Sequence, residues 1–589
     1  MFNSIFSQTA SLLKFVIYDF DGLDIGATNL PDGDFQIGDL SYEITANPLP
    51  ASDVLGDRVL KANLNWINGT GEFGKGMDKF FQLSVLQDRI NFYFYSPLSN
   101  AANVQVRVII TEDDDNDNFY QSSADDSWID TVQLSSSAGW QLVSLPLSDF
   151  KDRNTGGNGI FDVGFGANEG KLFVVRIAFD QTSTTVTSET YYLDMISFSQ
   201  GNLPSGNTIL DLPPGDGVNC ELGAFTGTSP DSAPAVIENK FTNGKKIKYV
   251  NWFMQYSATG TVPVNFPGAE VQNLLNNGYR PVLTWEMMYA QYSRLDPLQP
   301  RLDKILNGTF DAYIDSFADK IKSYNDTIIL RIFHEFDGFW YSWSITENNQ
   351  DTTTFINAYR YVVDRFNMRG ATKVLWMWCV NSDSEPYLAY NWIVNAYPGD
   401  NYVDIVATDI YNHPNLPVPD WKSFRYLLSE SYYTLTKYFP NKPFYLCELA
   451  CRERYVSEDV SSQTKADWIC QMSGDLKTYF SKIDAIIFFD TPKEHDWRVN
   501  SSVAALNAVN NCIWTDNYFG ETTGVNENFA SASLNVFPNP FESELTITFK
   551  KANSIQVVNI LGTEVYREKI NESATNKTLD LSALSNGIY

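Results

Sequence analysis

Two glutamates stand directly after short apolar runs, where the chain would leave a β-strand. Residues 331–335 read RIFHE and residues 445–448 read YLCE, which places Glu335 and Glu448 at two strand ends. Two carboxyl groups ~5–5.5 Å apart can cleave a glycosidic bond, one attacking the anomeric carbon while the other protonates the leaving oxygen. Like charges that close cannot both ionise readily, so one carboxyl keeps its proton near neutral pH. We assign the acid/base role to Glu335 and the nucleophile role to Glu448; the alternative for each is a solvated or salt-bridged residue.

An aromatic segment follows the proposed acid. Residues 336–343 read FDGFWYSW, which is too aromatic for plain solvent exposure. Trp340 and Trp343 are predicted sugar-stacking platforms, with packing against the next helix as the alternative. Tyr411, at the end of the sixth predicted barrel strand, could donate a hydrogen bond that keeps the nucleophile ionised and oriented, although a core tyrosine would fit the pattern equally.

The chain has three histidines, His334, His413 and His495, and each follows or ends a predicted strand. Separated histidines can ligate a metal, but no carboxylate cluster or supporting pattern accompanies them here. We therefore expect no cofactor for catalysis. Alternation along the strand would point His334 away from the side of Glu335, so we expect His334 to contact a sugar hydroxyl or to position its loop.

The pattern of predicted secondary structure changes along the chain, from strands alone to strands that alternate with helices. Residues from Phe15 to about Phe198 alternate apolar and polar positions in short runs, which predicts an N-terminal β-sandwich. From Glu221 onward, short apolar runs alternate with amphipathic helical segments eight times, which predicts a central (β/α)₈ TIM barrel. The predicted barrel strands are 221–226, 246–254, 281–286, 327–334, 373–379, 403–411, 443–448 and 484–490.

These patterns predict a multi-domain protein that ends in a small C-terminal β-domain, with strand-like runs at 544–549 and 555–560. Proline, glycine, serine and asparagine mark the first linker. The predicted boundaries are a tail at 1–14, the sandwich at 15–200, a linker at 201–216, the barrel at 217–516, a second linker at 517–530 and the last domain at 531–589, which stops in mid-strand and is expected to be truncated.

Composition narrows the partners. The 589 residues carry a net charge of −29, which repels nucleic acid and anionic lipid. No apolar stretch approaches the ~20 residues that cross a bilayer, so we expect no membrane span. Aromatic residues make up 14% of the chain, which favours flat, hydroxylated ligands such as sugars. The six cysteines lack zinc-site spacing, and their pairing stays open. We expect a monomer.

The motifs together resemble glycoside hydrolase family 26. They are RxxHE at 331–335 with WYxW at 340–343, YVD to DIYN at 402–412, KPF to E at 442–448, and FFD to DWRVNS at 488–501. That family consists of (β/α)₈ retaining endo-β-glycanases, mostly β-mannanases, with some mixed-linkage β-glucanases and β-1,3-xylanases. The resemblance implies Glu335 as acid/base and Glu448 as nucleophile. It also implies a surrounding set of substrate-binding residues: Arg331, His334, Trp340, Tyr411 and Trp497.

Two departures from the family pattern bear on the substrate. Mannanases of the family often show Trp-His after the third strand, whereas this chain has Trp285-Glu286, so a substrate-contacting histidine is absent. Residues 488–489 are Phe-Phe where a tryptophan is common. We keep Trp285 as a predicted substrate contact. β-1,4-Mannan is the first substrate expectation; mixed-linkage β-1,3-1,4-glucan, β-1,3-xylan and a non-catalytic polysaccharide-binding protein are the alternatives, because contacts around the sugar set specificity.

The N-terminal segment resembles carbohydrate-binding modules of the jelly-roll type, on residues 18–22 and 191–196. In such modules a calcium ion often ties the first and last strands together, and Asp19 and Asp194 are the predicted ligands. The acidic run 112–118 lacks EF-hand spacing and is interpreted as a solvated loop. The predicted glycan-stacking residues are Tyr93, Tyr95 and Trp128, with half-buried strand aromatics as the alternative.

The C-terminal segment resembles the type IX secretion sorting domain of Bacteroidetes, through PNP at 538–540 and NGIY at 586–589. The resemblance implies the type IX secretion machinery as a partner and a secreted or cell-surface location.

Overall fold

The protein is described by a computed structural model that covers most of the chain. The predicted tail and both linkers fall largely outside the described residues, and the PNP and NGIY motifs fall wholly outside them. The described residues are 12–21, 23–28, 33–48, 58–97, 103–135, 137–166, 169–201, 203, 220–241, 244–256, 263, 265–289, 291–324, 326–413, 421–454, 463–520, 535–537, 543–548, 554–558, 564–569 and 576–582.

The N-terminal segment folds into two antiparallel sheets, which confirms the predicted β-sandwich. One sheet has the order β3-β4-β12-β6-β9 with β1 on β12, and the other has the order β10-β8-β7-β11-β5-β2. The strands are β1 Leu12–Tyr18, β2 Asp34–Gly38, β3 Leu40–Ala46, β4 Arg58–Asn65, β5 Thr70–Lys79, β6 Asp88–Ser96, β7 Val104–Asp113, β8 Ser127–Thr131, β9 Gly139–Pro146, β10 Lys151–Asp152, β11 Lys171–Gln181 and β12 Ser188–Gln200.

Alternation explains how these strands build a core. In β3, Leu40, Tyr42 and Ile44 are buried while Ser41 faces solvent. Successive side chains of a strand point to opposite faces, so one face of each sheet packs inward and the other does not.

The central segment closes into an eight-stranded parallel barrel, which confirms the predicted TIM fold. Each strand pairs with the next along the chain and the eighth pairs with the first. The strands are β13 Glu221–Phe225, β14 Tyr249–Gln255, β15 Arg280–Glu286, β16 Ile328–Ile332, β17 Val374–Asn381, β18 Ile405–Asn412, β19 Phe444–Cys451 and β20 Ile483–Phe489.

The α-helices of the barrel segment cover the strands with their apolar faces. In α5, Phe355, Tyr359, Val362 and Phe366 are all buried, as their spacing predicts. The helix begins after the Asp351 cap and ends at Gly370 in the left-handed conformation. The helices are α1 Ala233–Glu238, α2 Gly268–Asn276, α3 Leu302–Leu306, α4 Asp311–Lys322, α5 Thr352–Arg369, α6 Phe424–Tyr438, α7 Lys465–Thr478 and α8 Val503–Val509.

The eight helices are not spread one per strand. Two of them, α3 and α4, lie between β15 and β16, whereas β17 and β18 are joined by two short 3₁₀ helices, Ala389–Asn391 and Ile393–Ala396. Pro386 and Pro398 flank these turns and disfavour a continuous α-helix there.

The chain forms two compact units, residues 1–522 and 523–589. Within the first unit the sandwich contacts the barrel: the Val16 amide donates to Ser429 Oγ at 3.3 Å, and the Phe165 ring stacks on Trp392 with centroids 4.9 Å apart. A disulfide joins Cys470 and Cys512. The other four cysteines, Cys220, Cys379, Cys447 and Cys451, are buried and free.

Among its described residues, the only regular secondary structure of the second unit is a set of short strands. They are β21 Asn535–Phe537, β22 Glu544–Thr548, β23 Ser554–Val558, β24 Glu564–Lys569 and β25 Asn576–Asp580. They form a three-stranded and a two-stranded sheet, which confirms the predicted small β-domain. No helix in the described part of the chain has the length and apolar character needed to span a membrane.

Candidate active site

The two glutamates lie at the mouth of the barrel, where the carboxyl ends of the strands meet. Glu448 is part of β19, and Glu335 follows β16 by three residues. Both side chains are almost buried, with 9% of Glu335 and 6% of Glu448 exposed. The structure thus brings the two predicted catalytic carboxyls into one desolvated region.

The chain leaves β16 by a sharp turn rather than by an extended strand. Phe333 and Glu335 adopt the left-handed conformation, with φ of 50° and 49°, which is unfavourable for residues with a side chain. The Glu335 amide donates to the Cys379 carbonyl of β17 at 3.0 Å, which holds the turn in place. The expectation that β16 runs to residue 334 with strand alternation is therefore wrong, because the strand ends at Ile332.

Arg331 ties the nucleophile position to its neighbours. Its guanidinium is fully buried. Nε donates to Thr284 Oγ1 at 2.9 Å, Nη1 donates to Asp409 Oδ2 at 2.6 Å, and Nη2 donates to Glu448 Oε1. The rigid planar fork of arginine thereby fixes two carboxylates from two different strands.

Tyr411 completes the hydrogen bonding of Glu448, the predicted nucleophile. Its hydroxyl donates to Glu448 Oε2, so each carboxylate oxygen of Glu448 has a donor. Burial and the charge of Glu448 raise the pKa of Tyr411 well above its usual value. Tyr411 therefore stays protonated and acts as a donor, which stabilises and orients the anionic form of Glu448.

Glu335 stands in the opposite electrostatic environment. Burial, followed by the charges of Asp409 and Glu448, raises the pKa of Glu335 well above its usual value. Trp340 Nε1 donates to Glu335 Oε2 at 2.7 Å and opposes that rise, as does the charge of Arg331. The environment of Glu335 thus favours its protonated form, whereas both oxygens of Glu448 accept hydrogen bonds.

Asp409 is a further residue of the candidate site to which the sequence patterns assigned no role. It is fully buried in β18, bonds Arg331, and accepts from the Cys379 thiol at 3.3 Å. Burial raises its pKa, against the opposing charge of Arg331. Asp409 is the first residue of the DIYN motif and lies two residues before Tyr411 at a strand end, and its side chain contacts Arg331.

His334 packs beside the site as a neutral residue. Its Nε2 lies 3.0 Å from the Tyr341 hydroxyl. Burial, followed by the charges of Arg331 and Lys493, lowers its pKa well below the usual value. Among the described residues, no group of three or more potential metal ligands includes a histidine.

Two predicted sugar contacts are corrected by the structure. Trp285 is fully buried, and its ring packs on Tyr313 and Phe317 of the helix layer rather than facing the mouth. Trp343 is also fully buried; it stacks on Tyr341 and donates to the His334 carbonyl at 2.8 Å. Neither ring is available to a sugar, and the contacts of Trp343 are with Tyr341 and His334 of its own segment.

The other two tryptophans predicted to contact the sugar, Trp340 and Trp497, differ in their exposure to solvent. Trp340 is half-buried beside Glu335, so part of its ring faces the mouth. Trp497 is 2% exposed and packs against Tyr411 with ring centroids 5.2 Å apart, which supports Tyr411 from behind. The contact of both rings with a sugar stays a prediction.

Like Asp409, Glu286 lies at the barrel mouth and received no functional role from the sequence patterns. It ends β15, is half-buried, and accepts from Gln255 Nε2 at 3.2 Å. Burial raises its pKa, and the charge of Glu448 adds to that rise. It occupies the position where the family resemblance places a histidine, so the polar group offered to substrate there is a carboxyl.

The predicted stacking residues of the sandwich are corrected in part. Tyr93 is fully buried, and Trp128 is buried in the sandwich core against Phe161. Tyr95 is half-buried beside Trp140 and Tyr192, with ring centroids 5.3 and 5.5 Å away. Only Tyr95 of the three presents part of its ring to solvent, and glycan stacking there stays a prediction.

The predicted calcium ligands lie beside a cation of the barrel. Asp19 and Asp194 are buried, and each has one carboxylate oxygen without a hydrogen-bond partner, which suits a metal ion. Arg425 Nε lies 3.8 Å from Asp19 Oδ2, so one positive charge is already close. Calcium at this pair stays a prediction.

Comparison with known proteins agrees with this geometry. Residues 277–503 match the model of glycosyl hydrolase family 26, and residues 535–589 match the secretion system C-terminal sorting domain. An eight-stranded barrel with two carboxyls at its mouth can support glycoside hydrolysis, in which one carboxyl acts as nucleophile and the other as acid. The chain carries a glycosyl hydrolase family 26 domain, followed by a C-terminal sorting domain that indicates a secreted or cell-surface protein.

Two curated relatives and one solved structure illustrate the likeness. The chain is 34% identical to Endoglucanase H of Acetivibrio thermocellus over 301 residues, 50% of this chain and 30% of that protein. It is 28% identical to Mannan endo-1,4-beta-mannosidase A and B of Caldalkalibacillus mannanilyticus over 154 residues, 25% of this chain and 24% of that protein. The matched region thus spans about a third or less of each of these relatives. The endo-β-1,4-mannanase catalytic domain of a Bacillus species superposes with a TM-score of 0.41 and 17% identity, covering 53% of this chain and 88% of that one.

Proposed function

We propose that this protein is a secreted, endo-acting, retaining β-glycanase that uses double displacement. One observation carries the proposal: two buried carboxyls at one barrel mouth stand in opposite environments. Burial and neighbouring charge raise the pKa of Glu335 and favour its protonated form, whereas the two oxygens of Glu448 accept hydrogen bonds from the Arg331 guanidinium and the Tyr411 hydroxyl.

The chemistry follows from these protonation states. Glu448 attacks the anomeric carbon while Glu335 gives its proton to the glycosidic oxygen, so the C–O bond breaks as the glycosyl-enzyme ester forms. Glu335, now anionic, then takes a proton from water, and the resulting hydroxide oxygen displaces Glu448 from the anomeric carbon. Two inversions give net retention and return both carboxyls to their starting states.

The neighbours of Glu448 act by positioning. Thr284 and Asp409 fix the Arg331 guanidinium, and Arg331 and Tyr411 fix the two oxygens of Glu448. Because these donors are in place before substrate binds, little reorganisation is needed when the charge of Glu448 moves onto the ester.

We propose β-glucan as the preferred substrate. The match to the endoglucanase is longer and closer than the match to the mannosidase, at 34% over 301 residues against 28% over 154. Glu286 also stands where mannanases of the family often have histidine. A change from a neutral ring to a carboxyl at the mouth alters the hydrogen bonds offered to a sugar hydroxyl, and such contacts set specificity.

β-1,4-Mannan, the first substrate expectation from the sequence, is the second candidate. Three mannosidases besides the one above match this chain at 24–31% identity. The non-catalytic polysaccharide-binding alternative is not favoured, because the acid and nucleophile positions are both occupied and oppositely poised. The sorting domain supports the type IX secretion machinery as a partner.

A substrate panel tests the proposal. The full chain is incubated with lichenan, galactomannan and β-1,3-xylan, and products are sized by chromatography. We expect the highest kcat/KM and early oligosaccharide release on lichenan. Loss of all turnover in Glu448→Ala, with full turnover in the helix-surface control Glu270→Gln, supports the assignment. Absence of reducing-sugar release by the wild type on all three polymers would reject it, and faster turnover of galactomannan would move the substrate to mannan.

A further inference from the structure

Four carboxylates from three segments of the sandwich lie close together. Glu112 lies near the end of β7, Asp114 follows that strand, Asp126 precedes β8, and Asp162 belongs to the segment before β11. One oxygen from each of Glu112, Asp114 and Asp162 lies within 4.8 Å of the others. Asp126 lies beside both Glu112 and Asp114, because its amide donates to Asp114 Oδ2 at 2.8 Å and its carbonyl accepts from the Glu112 amide at 3.0 Å.

Three of these carboxylates keep one buried oxygen without a hydrogen-bond partner. Glu112 and Asp126 are fully buried, and the unpartnered atoms are Glu112 Oε1, Asp126 Oδ1 and Asp162 Oδ1. The second oxygen of each is taken. Glu112 Oε2 accepts from the Asp162 amide at 3.2 Å, Asp126 Oδ2 accepts from the Gly159 amide at 2.8 Å, and Asp162 Oδ2 accepts from Asn158 Nδ2 at 3.0 Å. Each carboxylate is thus held by one oxygen and offers the other.

No side-chain cation balances this group within the described residues, since none of their ion pairs includes Glu112, Asp114, Asp126 or Asp162. Burying a carboxylate without a partner costs several kcal/mol, and neighbouring like charges add to that cost. The fold therefore assembles a site that lacks its positive charge.

The adjacent acidic residues differ from this group, because their carboxylates accept local hydrogen bonds or face solvent. Asp113, Asp115 and Asp117 are also close together. Both oxygens of Asp113 accept backbone amides, from Asp117 at 3.1 Å and Asn118 at 2.9 Å, while Asp115 and Asp117 face solvent. The acidic groups of that loop are therefore held by local hydrogen bonds or face solvent, whereas the Glu112 group (Glu112, Asp114, Asp126 and Asp162) keeps three unpartnered oxygens. The interpretation of the run 112–118 as a solvated loop fits residues 115–118 but is wrong for the buried residues Glu112 and Asp113.

We propose that Glu112, Asp114, Asp126 and Asp162 bind a calcium ion in the sandwich, separate from the pair Asp19 and Asp194. Calcium accepts six to eight oxygen ligands at about 2.3–2.6 Å, so oxygens on opposite sides of the ion lie about 5 Å apart. The spacing of up to 4.8 Å among the ligand oxygens of Glu112, Asp114 and Asp162 suits calcium. Magnesium, with ligands at about 2.0–2.1 Å in a strict octahedron, needs a tighter set.

The site has a structural consequence for the rest of the first unit. Residues 153–166 pass through the Asp162 ligand and reach the barrel, where Phe165 stacks on Trp392 with an interplanar angle of 7°. Gly157 in this segment has φ of 69° and no room for a Cβ beside Asp126. An ion that joins this segment to β7 and β8 therefore supports the contact between sandwich and barrel.

Calcium titration of the full chain tests the proposal. Protein stripped with chelator is titrated with calcium chloride by calorimetry, and thermal unfolding is followed with calcium or with EDTA. We expect Glu112→Gln and Asp162→Asn to weaken calcium binding at least tenfold. The charge-matched control Asp149→Asn, an exposed residue of the same sandwich, keeps wild-type affinity.

The sign of the stability change separates a ligand role from a packing role. In EDTA, Glu112→Gln relieves repulsion and unfolds at or above the wild-type temperature; with calcium, it unfolds below the wild type. Equal calcium affinity in wild type and Glu112→Gln would overturn the proposal. So would loss of binding in Asp115→Asn, which would place the ion in the neighbouring loop, or in Asp194→Asn alone, which would place it at the other pair.

Discussion

The barrel mouth and the acidic end of the sandwich both gather buried carboxylates, but they balance the charge differently. At the mouth, Arg331 bonds Asp409 and Glu448 directly. In the sandwich, the described residues supply the Glu112 group with no such arginine or lysine. A built-in cation leaves carboxylates fixed and ready for chemistry, whereas a missing cation makes a site for a metal.

The largest expected effect falls on Glu448, the proposed nucleophile at the mouth. If Glu448 attacks the anomeric carbon as proposed, Glu448→Ala removes the attacking atom, and kcat should fall by at least about 10⁴-fold. Azide, a small nucleophile that fits the space left by the side chain, should restore part of the rate. Initial rates on lichenan with and without azide measure both. A residual rate within tenfold of the wild type would contradict the assignment of Glu448 as nucleophile. It would also contradict the proposal that the carboxylates of the barrel mouth are held for catalysis.

Removing the Arg331 guanidinium should leave the buried carboxylates of the barrel mouth without an ion pair, as in the Glu112 group of the sandwich. Arg331→Met leaves Asp409 and Glu448 buried and unpaired, which should lower the free energy of unfolding by about 3–5 kcal/mol. Urea denaturation measures the change. The double variant Arg331→Met with Asp409→Asn should recover part of the stability, because it removes one of the two unpaired charges. No loss of stability in Arg331→Met would show that the pairing is not needed.

Glu335 gives a pH prediction whose sign is fixed by its environment. Its pKa is raised, and the acid must be protonated, so kcat/KM is present below that pKa and is lost as pH rises through it. The Trp340 hydrogen bond favours the anion. Trp340→Phe should therefore move the alkaline limb of the kcat/KM profile to higher pH.

The sandwich offers a matched control for that experiment. Trp66 Nε1 donates to Glu189 Oε2 at 3.2 Å, which is the same indole–carboxylate bond away from the mouth. Trp66→Phe should leave the pH profile of kcat/KM unchanged. An alkaline limb that stays in place or moves to lower pH in Trp340→Phe would show that Glu335 does not set it.

The smallest expected effect concerns the pair Asp19 and Asp194. This pair is intermediate between the arginine-paired carboxylates of the barrel mouth and the Glu112 group, which has no ion pair among the described residues. Arg425 already lies 3.8 Å from Asp19 and repels a second cation. Calcium should therefore bind this pair at least about tenfold more weakly than it binds the Glu112 group. In a calcium titration of Asp194→Asn, the tighter binding step should persist. Loss of that tighter step would reverse the order of the two sites.

Sequence reasoning located the fold and the two glutamates because both depend on local patterns. Apolar runs of strand length and helical spacing recur along the barrel, and Glu335 and Glu448 follow such runs. The left-handed turn at Glu335 was not predictable, since its φ is imposed by the bond to the Cys379 carbonyl on the next strand. Extended alternation was the reasonable but wrong expectation.

Contacts between distant segments account for the other differences. Trp285 and Trp343 have the residue type of sugar platforms, and only the packing of the helix layer and of Tyr341 shows that they are buried. The bond from Arg331 to Asp409 and the meeting of Glu112 with Asp162 join residues 78 and 50 positions apart. Side chains so far apart in sequence carry no common periodic signal, so a single sequence does not reveal them.

The most direct test of the central claim is to trap the covalent intermediate. A 2-deoxy-2-fluoro β-glycoside with a good leaving group should react with the wild-type enzyme and stay attached, because the fluorine slows the second displacement. Peptide mass mapping should then locate the sugar on Glu448. A label on any other residue would contradict the account, as would release of the sugar with inverted anomeric configuration.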